Sequence, residues 1–278
     1  MAGDLKVVAD NLGFVEGPRW HNGELWFSDF YHRTVNSVDE SGKVTRRAYV
    51  PGQPSGLGFA PDGALMVVST HEGHLLRIDD QGPLLVADIG AVYRGGLNDM
   101  LVDASGRAYI STFPAHSAGA RVRDFARPPS VPLFTVSPEG EVSVAADGFA
   151  IANGMALTAD GGTLIVAETL GNQLTAFDVG KDGALSGRRI FADCGERQPD
   201  GICLDPNGAI WYGSPFTSEF VLVADGGEVL EVVASPGRWA VACAMDPEGT
   251  TLWCATVALT IEEYQEGRGR GAIEFSKR

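Results

Sequence analysis

The stretch Asp200-Gly-Ile-Cys-Leu-Asp-Pro-Asn-Gly208, followed by Ala-Ile-Trp-Tyr-Gly-Ser214, decides the fold. A polar residue opens an apolar strand, a Pro-Asn-Gly turn closes it, and a second apolar strand runs back. The pattern recurs, and self-similarity at a fixed period is the signature of a repeat architecture. Asn153 precedes Gly161 by eight positions, Asn98 precedes Gly106 by eight, Ser55 precedes Gly63 by eight, and Val241 precedes Gly249 by eight. The first copy, Glu16 to Gly23, is one residue shorter, which gives six copies in all.

Each copy continues into a third strand, such as Leu-Leu-Arg-Ile78, and a second turn, such as Asp80-Gln-Gly82. A fourth strand then ends the unit, as at Glu228–Ala234. Four antiparallel strands repeated every forty-odd residues describe a blade of a β-propeller. The last copy has two clear strands, a third candidate at Gly271–Lys277 and no fourth, whereas Leu5–Ala9 stands ahead of the first blade with no blade of its own. The expected fold is therefore all-β: a six-bladed β-propeller, residues 1–278 as one domain, with the N-terminal strand joining the last blade. Such closure removes free sheet edges.

The first strand of each blade lines the central channel. The residue eight before the hairpin glycine then holds an equivalent place in each blade: Glu16, Ser55, Asn98, Asn153, Asp200 and Val241. Five of these six are polar where buried strands usually carry apolar side chains, and such groups are costly unless satisfied. Glu16, Asn153 and Asp200 offer only oxygen, which suits a hard divalent cation: Ca²⁺ first, with Mg²⁺, Mn²⁺ and Zn²⁺ as alternatives. Asn98 is a further ligand candidate. The same face is expected to carry Asp29, His71, Tyr93, Arg94, Glu168, Arg197, Phe216 and Trp239, together with the long 113–132 connection. Trp20 and Trp239 are read as residues of the mouth, and Trp26, Trp211 and Trp253 as packing between blades.

Lys and Arg number 21 against 36 Asp and Glu, a formal charge of −15, which speaks against nucleic acid. The sequence has no apolar run of transmembrane length and no secretory start, so no membrane is expected and the cytoplasm is the expected compartment. Four cysteines without a CxxC pair read as reduced and structural. No GxSxG elbow is present, so a serine-hydrolase route is not expected. The acidic surface suggests a monomer or weak dimer.

Glu16-Gly-Pro-Arg-Trp20, Leu97-Asn-Asp-Met100, Ala152-Asn-Gly-Met155, Leu164–Glu168-Thr169 and Pro199-Asp-Gly-Ile202 resemble the signatures of the SMP-30/gluconolactonase/luciferin-regenerating-enzyme family. The resemblance implies six blades and a metal-dependent hydrolase of a small-molecule substrate, most often a lactone. It places the metal on Glu16, Asn153 and Asp200 and substrate on Asn98. In the implied mechanism, the metal polarises the lactone carbonyl and Asp200 acts as the general base. Sugar-lactone members often carry an arginine two positions before that asparagine, where this chain has Gly96; Arg94 lies two further back. Arg94, Phe113, Arg121 or Arg123, and Trp239 are the other candidates for binding substrate. Two other readings compete with lactone hydrolysis. One uses the same metal for phosphotriester hydrolysis, or for a ring-opening or isomerising step on a specialised metabolite; the other is a non-catalytic propeller scaffold.

Overall fold

The computed structural model describes residues 4–114 and 130–278. Six four-stranded antiparallel sheets form a six-bladed β-propeller. Five blades are contiguous in sequence, with strands in simple meander order. The sixth takes its inner three strands from Trp239–Met245, Thr251–Ala258 and Arg270–Lys277, and its outer strand from the N-terminal segment Lys6–Leu12. That segment runs antiparallel to Arg270–Lys277, with Lys6 opposite Phe275 and Leu12 opposite Gly271. The ends of the chain therefore clasp the ring shut, as expected from the missing fourth strand.

The hairpin turns explain why a glycine closes the first hairpin of each copy, three of them as Asp-x-x-Gly. In blade 5 the Asp205 carboxylate accepts the Asn207 backbone N–H at 2.7 Å, and Gly208 N–H donates to the Asp205 carbonyl at 3.0 Å. Gly208 has φ +88°, a left-handed conformation that glycine adopts without steric cost. Asp103 holds Ser105 and Gly106 in the same way in blade 3.

Packing between blades supplies the core. Trp211, Phe220 and Val233 of blade 5 meet Ala240, Cys243, Leu252 and Cys254 of blade 6, all nearly or fully buried. Trp211 and Trp253 pack in this way, as their second-strand positions predict.

The inner strands position the channel residues by a shared irregularity. Register breaks fall between Glu16 and Arg19, Pro54 and Leu57, Leu97 and Met100, Ala152 and Met155, and Ala240 and Ala242. In blades 2, 3, 4 and 6 the break encloses the residue picked out by the repeat, and in blade 1 it begins just after Glu16, which still pairs with Ser28; a bulge of this kind re-aims a side chain away from the regular pleat. In blade 5 the strand proper covers only Ile202–Leu204, and Asp200 precedes it. Among the described residues no helix is long and apolar enough to cross a membrane.

Candidate active site

The ring residues gather because the upper ends of the inner strands almost touch. The residue after the ring position is Gly17, Gly56, Gly154 and Gly201 in four blades. A Cβ on Gly56 would lie 2.2 Å from Met100 N, and one on Gly201 would lie 2.2 Å from the Ala242 Cβ. One on Gly154 would lie 2.5 Å from Ile202 N. Glycine there permits backbone hydrogen bonds between neighbouring blades. Gly154 N–H donates to Asp200 O at 3.1 Å, and Gly201 N–H donates to Val241 O at 2.9 Å.

Glu16, Asn98 and Asp200 are half-buried, and Asn153 is 9% exposed. The Asn153 amide donates from Nδ2 to Thr169 Oγ1 at 3.1 Å, and Thr169 Oγ1 donates in turn to Pro199 O at 2.9 Å. This relay orients the Asn153 amide from a short 3₁₀ turn, Thr169–Gly171. Just ahead of Asn153, Ile151 has φ +61°, a left-handed conformation that is strained for a β-branched residue and is held by Thr169 N–H donating to its carbonyl at 3.0 Å. Asn98 Nδ2 makes a long bond, 3.4 Å, to Ala152 O and so stands between blades 3 and 4.

Electrostatics tie the acids into one cluster. Burial, then the negative charges of Asp200 and Asp99, hold the Glu16 carboxyl well above the usual carboxylate range against a hydrogen bond from Gly17. Burial and then Asp99 push Asp200 up to about 8, although a hydrogen bond from Asn153 opposes the rise. Among the described residues no cationic side chain pairs with Glu16 or Asp200. The nearby arginine, Arg19, is committed to Asp99, with Nη2 donating to Asp99 Oδ1 at 2.9 Å and to Met100 O at 2.6 Å.

Asp99 and Tyr264 are site residues that the repeat reading missed. Asp99 occupies the position that is glycine in four other blades, so its carboxylate sits just behind the ring. It is 4% exposed and fixed by Arg19 and by its own neighbour's amide, Met100 N–H, at 2.7 Å. Tyr264 lies on the helix Ile261–Gln265, capped reciprocally by Thr260 and Glu263, in the connection between the second and third strands of blade 6. Burial and then the charges of Glu16 and Asp200 push its phenol up to about 12. The spacing Thr260-Ile-Glu-Glu263 is a capping-box signature that could have revealed the helix.

Aromatic rings continue from Tyr264 around the upper rim. Ring centroids lie 5.5 Å apart for Trp239–Tyr264, 5.1 Å for Phe216–Trp239, 5.7 Å for Phe14–Tyr264 and 5.5 Å for Phe14–Tyr31. Trp239 is therefore at the mouth, as expected. Trp20 is not: it lies at the opposite end of the channel, lining a cavity of about 310 Å³ with Leu204 and Met245. Four residues of extended strand beyond Glu16 carry it there, at roughly 3.3 Å per residue.

Several rim candidates are structural. Asp29 accepts from Gly13 N–H at 2.9 Å and contacts His32 Nδ1 at 2.8 Å. Glu168 accepts from Ala150 N–H, Gln173, Thr175 and Arg188. Burial would raise its carboxyl, but those bonds outweigh it and hold the group below its ordinary value. Arg197 pairs with Glu219 at 2.9 Å. Arg94 is exposed on the connection entering blade 3. A Cβ on Gly96 would lie 2.1 Å from the Phe113 ring, so that ring fills the space where a side chain at 96 would begin. Arg121 and Arg123, with most of the 113–132 connection, lie outside the described residues.

A family model described as the SMP-30/gluconolactonase/LRE-like region matches residues 14–258. The chain belongs to this family. A pentonolactonase of Haloferax volcanii is 25% identical over 213 residues, covering 74% of this chain and 68% of that protein. A gluconolactonase of Zymomonas mobilis is 21% identical, covering 90% of this chain and 78% of its own length. Among solved structures, a gluconolactonase of Xanthomonas campestris superposes with a TM-score of 0.78 at 24% identity, over 100% of this chain and 91% of that one. A calcium-binding regucalcin of Agrobacterium tumefaciens superposes with a TM-score of 0.76 at 19% identity, over 100% and 95%. These two likenesses carry the fold. The family match spans all six inner strands and every ring residue from Glu16 to Val241.

Proposed function

We propose that this SMP-30-family chain hydrolyses a lactone ring, using one divalent cation held by Glu16, Asn153 and Asp200. The observation that carries the reading is the meeting of Glu16 and Asp200, both pushed toward the protonated form, with no cationic side chain against them among the described residues. Like charges brought this close oppose each other's ionisation, and a cation at the same place reverses the sign of the effect. The donors fit such an ion: two carboxylates and an amide oxygen are hard ligands, with Ca²⁺ the first choice. The lactonase names of the relatives support the reaction class.

A bound cation would supply positive charge that polarises the lactone carbonyl and stabilises the oxyanion. Asp200, with its charge compensated, stays ionised near neutral pH and accepts a proton from the water that attacks the carbonyl carbon. The ring C–O bond then breaks, and Asp200 returns that proton to the leaving alkoxide, giving a hydroxy acid. Asn98, standing between blades 3 and 4, positions the substrate carbonyl. Asp99 and Arg19 keep the floor of the site in place.

The rim favours a particular kind of lactone. Phe113 over Gly96 and the chain of rings through Phe216, Trp239 and Tyr264 offer apolar faces rather than a dense set of sugar-binding donors. Phe216 is 51% exposed and Tyr264 45% exposed, so both faces are open to a ligand. We infer a lactone with an apolar body in preference to a polyhydroxylated one.

The test is proton release from a panel of sugar, aliphatic and aryl lactones, comparing chelated protein, protein refilled with each divalent ion, and Asp200→Asn. Turnover restored by metal and lost in the variant is the expected result. Stoichiometric metal without turnover on any lactone would move the reaction to another ester or phosphotriester. Turnover unchanged by chelation would remove the metal from the account.

A further inference from the structure

At the far end of the channel from Glu16, the inner strands of blades 5 and 6 bring two thiols into contact. Cys203 Sγ lies 3.6 Å from Cys243 Sγ. Gly201 N–H donates to Val241 O at 2.9 Å, tying the strands together two residues before each cysteine and fixing their spacing. Both cysteines line the cavity of about 310 Å³ at this end, with Met155, Leu204 and Met245 among their neighbours. Cys203, Leu204 and Met245 are only partly buried, so the cavity opens to solvent on this side, whereas Cys243 is 1% exposed. The other two thiols are placed differently. Cys254 is fully buried in the adjacent strand, opposite Cys243, and Cys194 lies in a separate cluster between blades 4 and 5.

We propose that Cys203 and Cys243 form a peroxide-reactive modification site that closes reversibly into a disulfide between blades 5 and 6. Nothing in the proposed hydrolysis uses either thiol. Cys203 is the group that a small oxidant meets first, because it faces the open cavity. As the thiolate, it attacks one peroxide oxygen; the O–O bond breaks, leaving a sulfenic acid and, after proton uptake, one water. Cys243 Sγ then displaces the sulfenic hydroxyl, forming the S–S bond and releasing a second water. Two thiols together lose two electrons and two protons, and one peroxide is reduced to two waters. The sulfurs must close from 3.6 Å to about 2.05 Å, a movement shared between two side chains already in contact. Burial pushes the Cys194 thiol up to about 11 and raises Cys254 as well, which keeps both unreactive; burial raises Cys243 too, and what assigns it the resolving role is its contact with Cys203.

The experiment treats the folded full chain with a small excess of hydrogen peroxide, blocks remaining thiols with an alkylating reagent, and maps peptides with and without dithiothreitol. The expected result is a Cys203–Cys243 linked peptide, about 2 Da lighter than the reduced pair, with Cys194 and Cys254 alkylated only after unfolding. The linked protein melts several degrees higher, because the bond joins positions 40 residues apart in the chain, and dithiothreitol reverses the shift. In Cys243→Ser, Cys203 is trapped as a sulfenic acid that dimedone labels; in Cys203→Ser, both the linkage and the label disappear. A link to Cys254, over-oxidation of Cys203 with Cys243 left free, or no reaction at either thiol would overturn the proposal. If a variant does not fold, the wild-type peptide map alone decides.

Discussion

Replacing a proposed ligand should make the metal-free protein more stable. Asp200 has its carboxyl raised to about 8 by burial and by Asp99, from an ordinary value of 3.8. A carboxylate with a raised folded-state pKa holds its proton in the native state after the unfolded chain has released it. Stability is therefore present below about pH 4 and is lost as pH rises toward 8. At 1.36 kcal/mol per unit, a rise of about four units sets a ceiling near 6 kcal/mol. Asp200 is half-buried at a channel opening, so solvent screening reduces this to about 2–3 kcal/mol. Asp200→Asn removes the ionisation and keeps the shape. In urea unfolding with chelator present, the variant should lose about 2–3 kcal/mol less than the wild type between pH 4 and pH 8. A saturating divalent ion should reverse the order, adding about 2.7 kcal/mol to the wild type at a hundredfold excess over Kd and little to the variant. Parallel pH profiles for the two proteins in chelator would refute the claim that Asp200 is an uncompensated acid in the metal-free state.

Other perturbations test the supports of the site. Thr169→Val removes the acceptor that orients the Asn153 amide and should weaken divalent-ion affinity about 10- to 100-fold in calorimetry, with little change in fold by circular dichroism. Arg19→Ala leaves Asp99 buried without its partner and should cost about 3 kcal/mol in denaturant unfolding; Arg19→Lys should not restore it, because one ammonium cannot reach both Asp99 and Met100 O as the guanidinium does. Gly56→Ala drives a methyl to 2.2 Å from Met100 N, which is backbone and cannot turn away, so a loss of about 2–4 kcal/mol in the same assay is expected.

The blade count and the ring closure were legible because turn chemistry repeats. A hairpin closed by glycine has the same backbone demands wherever it occurs, and the missing outer strand of blade 6 pointed to the N-terminal segment. Glu16, Asn98, Asn153 and Asp200 were legible as polar residues at a position where the neighbouring strand residues are apolar. Asp99 stands one position beyond the repeat's polar residue, where four blades have glycine, so its signal lies in that neighbouring column. Trp20 is near Glu16 in sequence, but four residues of extended strand carry it to the other end of the channel. Tyr264 comes from a helix inserted in a blade, outside the repeat, and its contacts with Phe14 and Trp239 are tertiary. The side chain of Phe113 over Gly96 is a tertiary contact that no local pattern encodes.

The central claim is that three blades together hold one divalent cation through Glu16, Asn153 and Asp200. Isothermal titration of chelator-treated protein with Ca²⁺, repeated with Glu16→Gln and Asp200→Asn, tests it most directly. The account predicts one ion per chain for the wild type and at least a hundredfold weaker binding in each variant, about 2.7 kcal/mol or more. Wild-type protein that takes up no divalent ion, or variants that bind as well as the wild type, would contradict it.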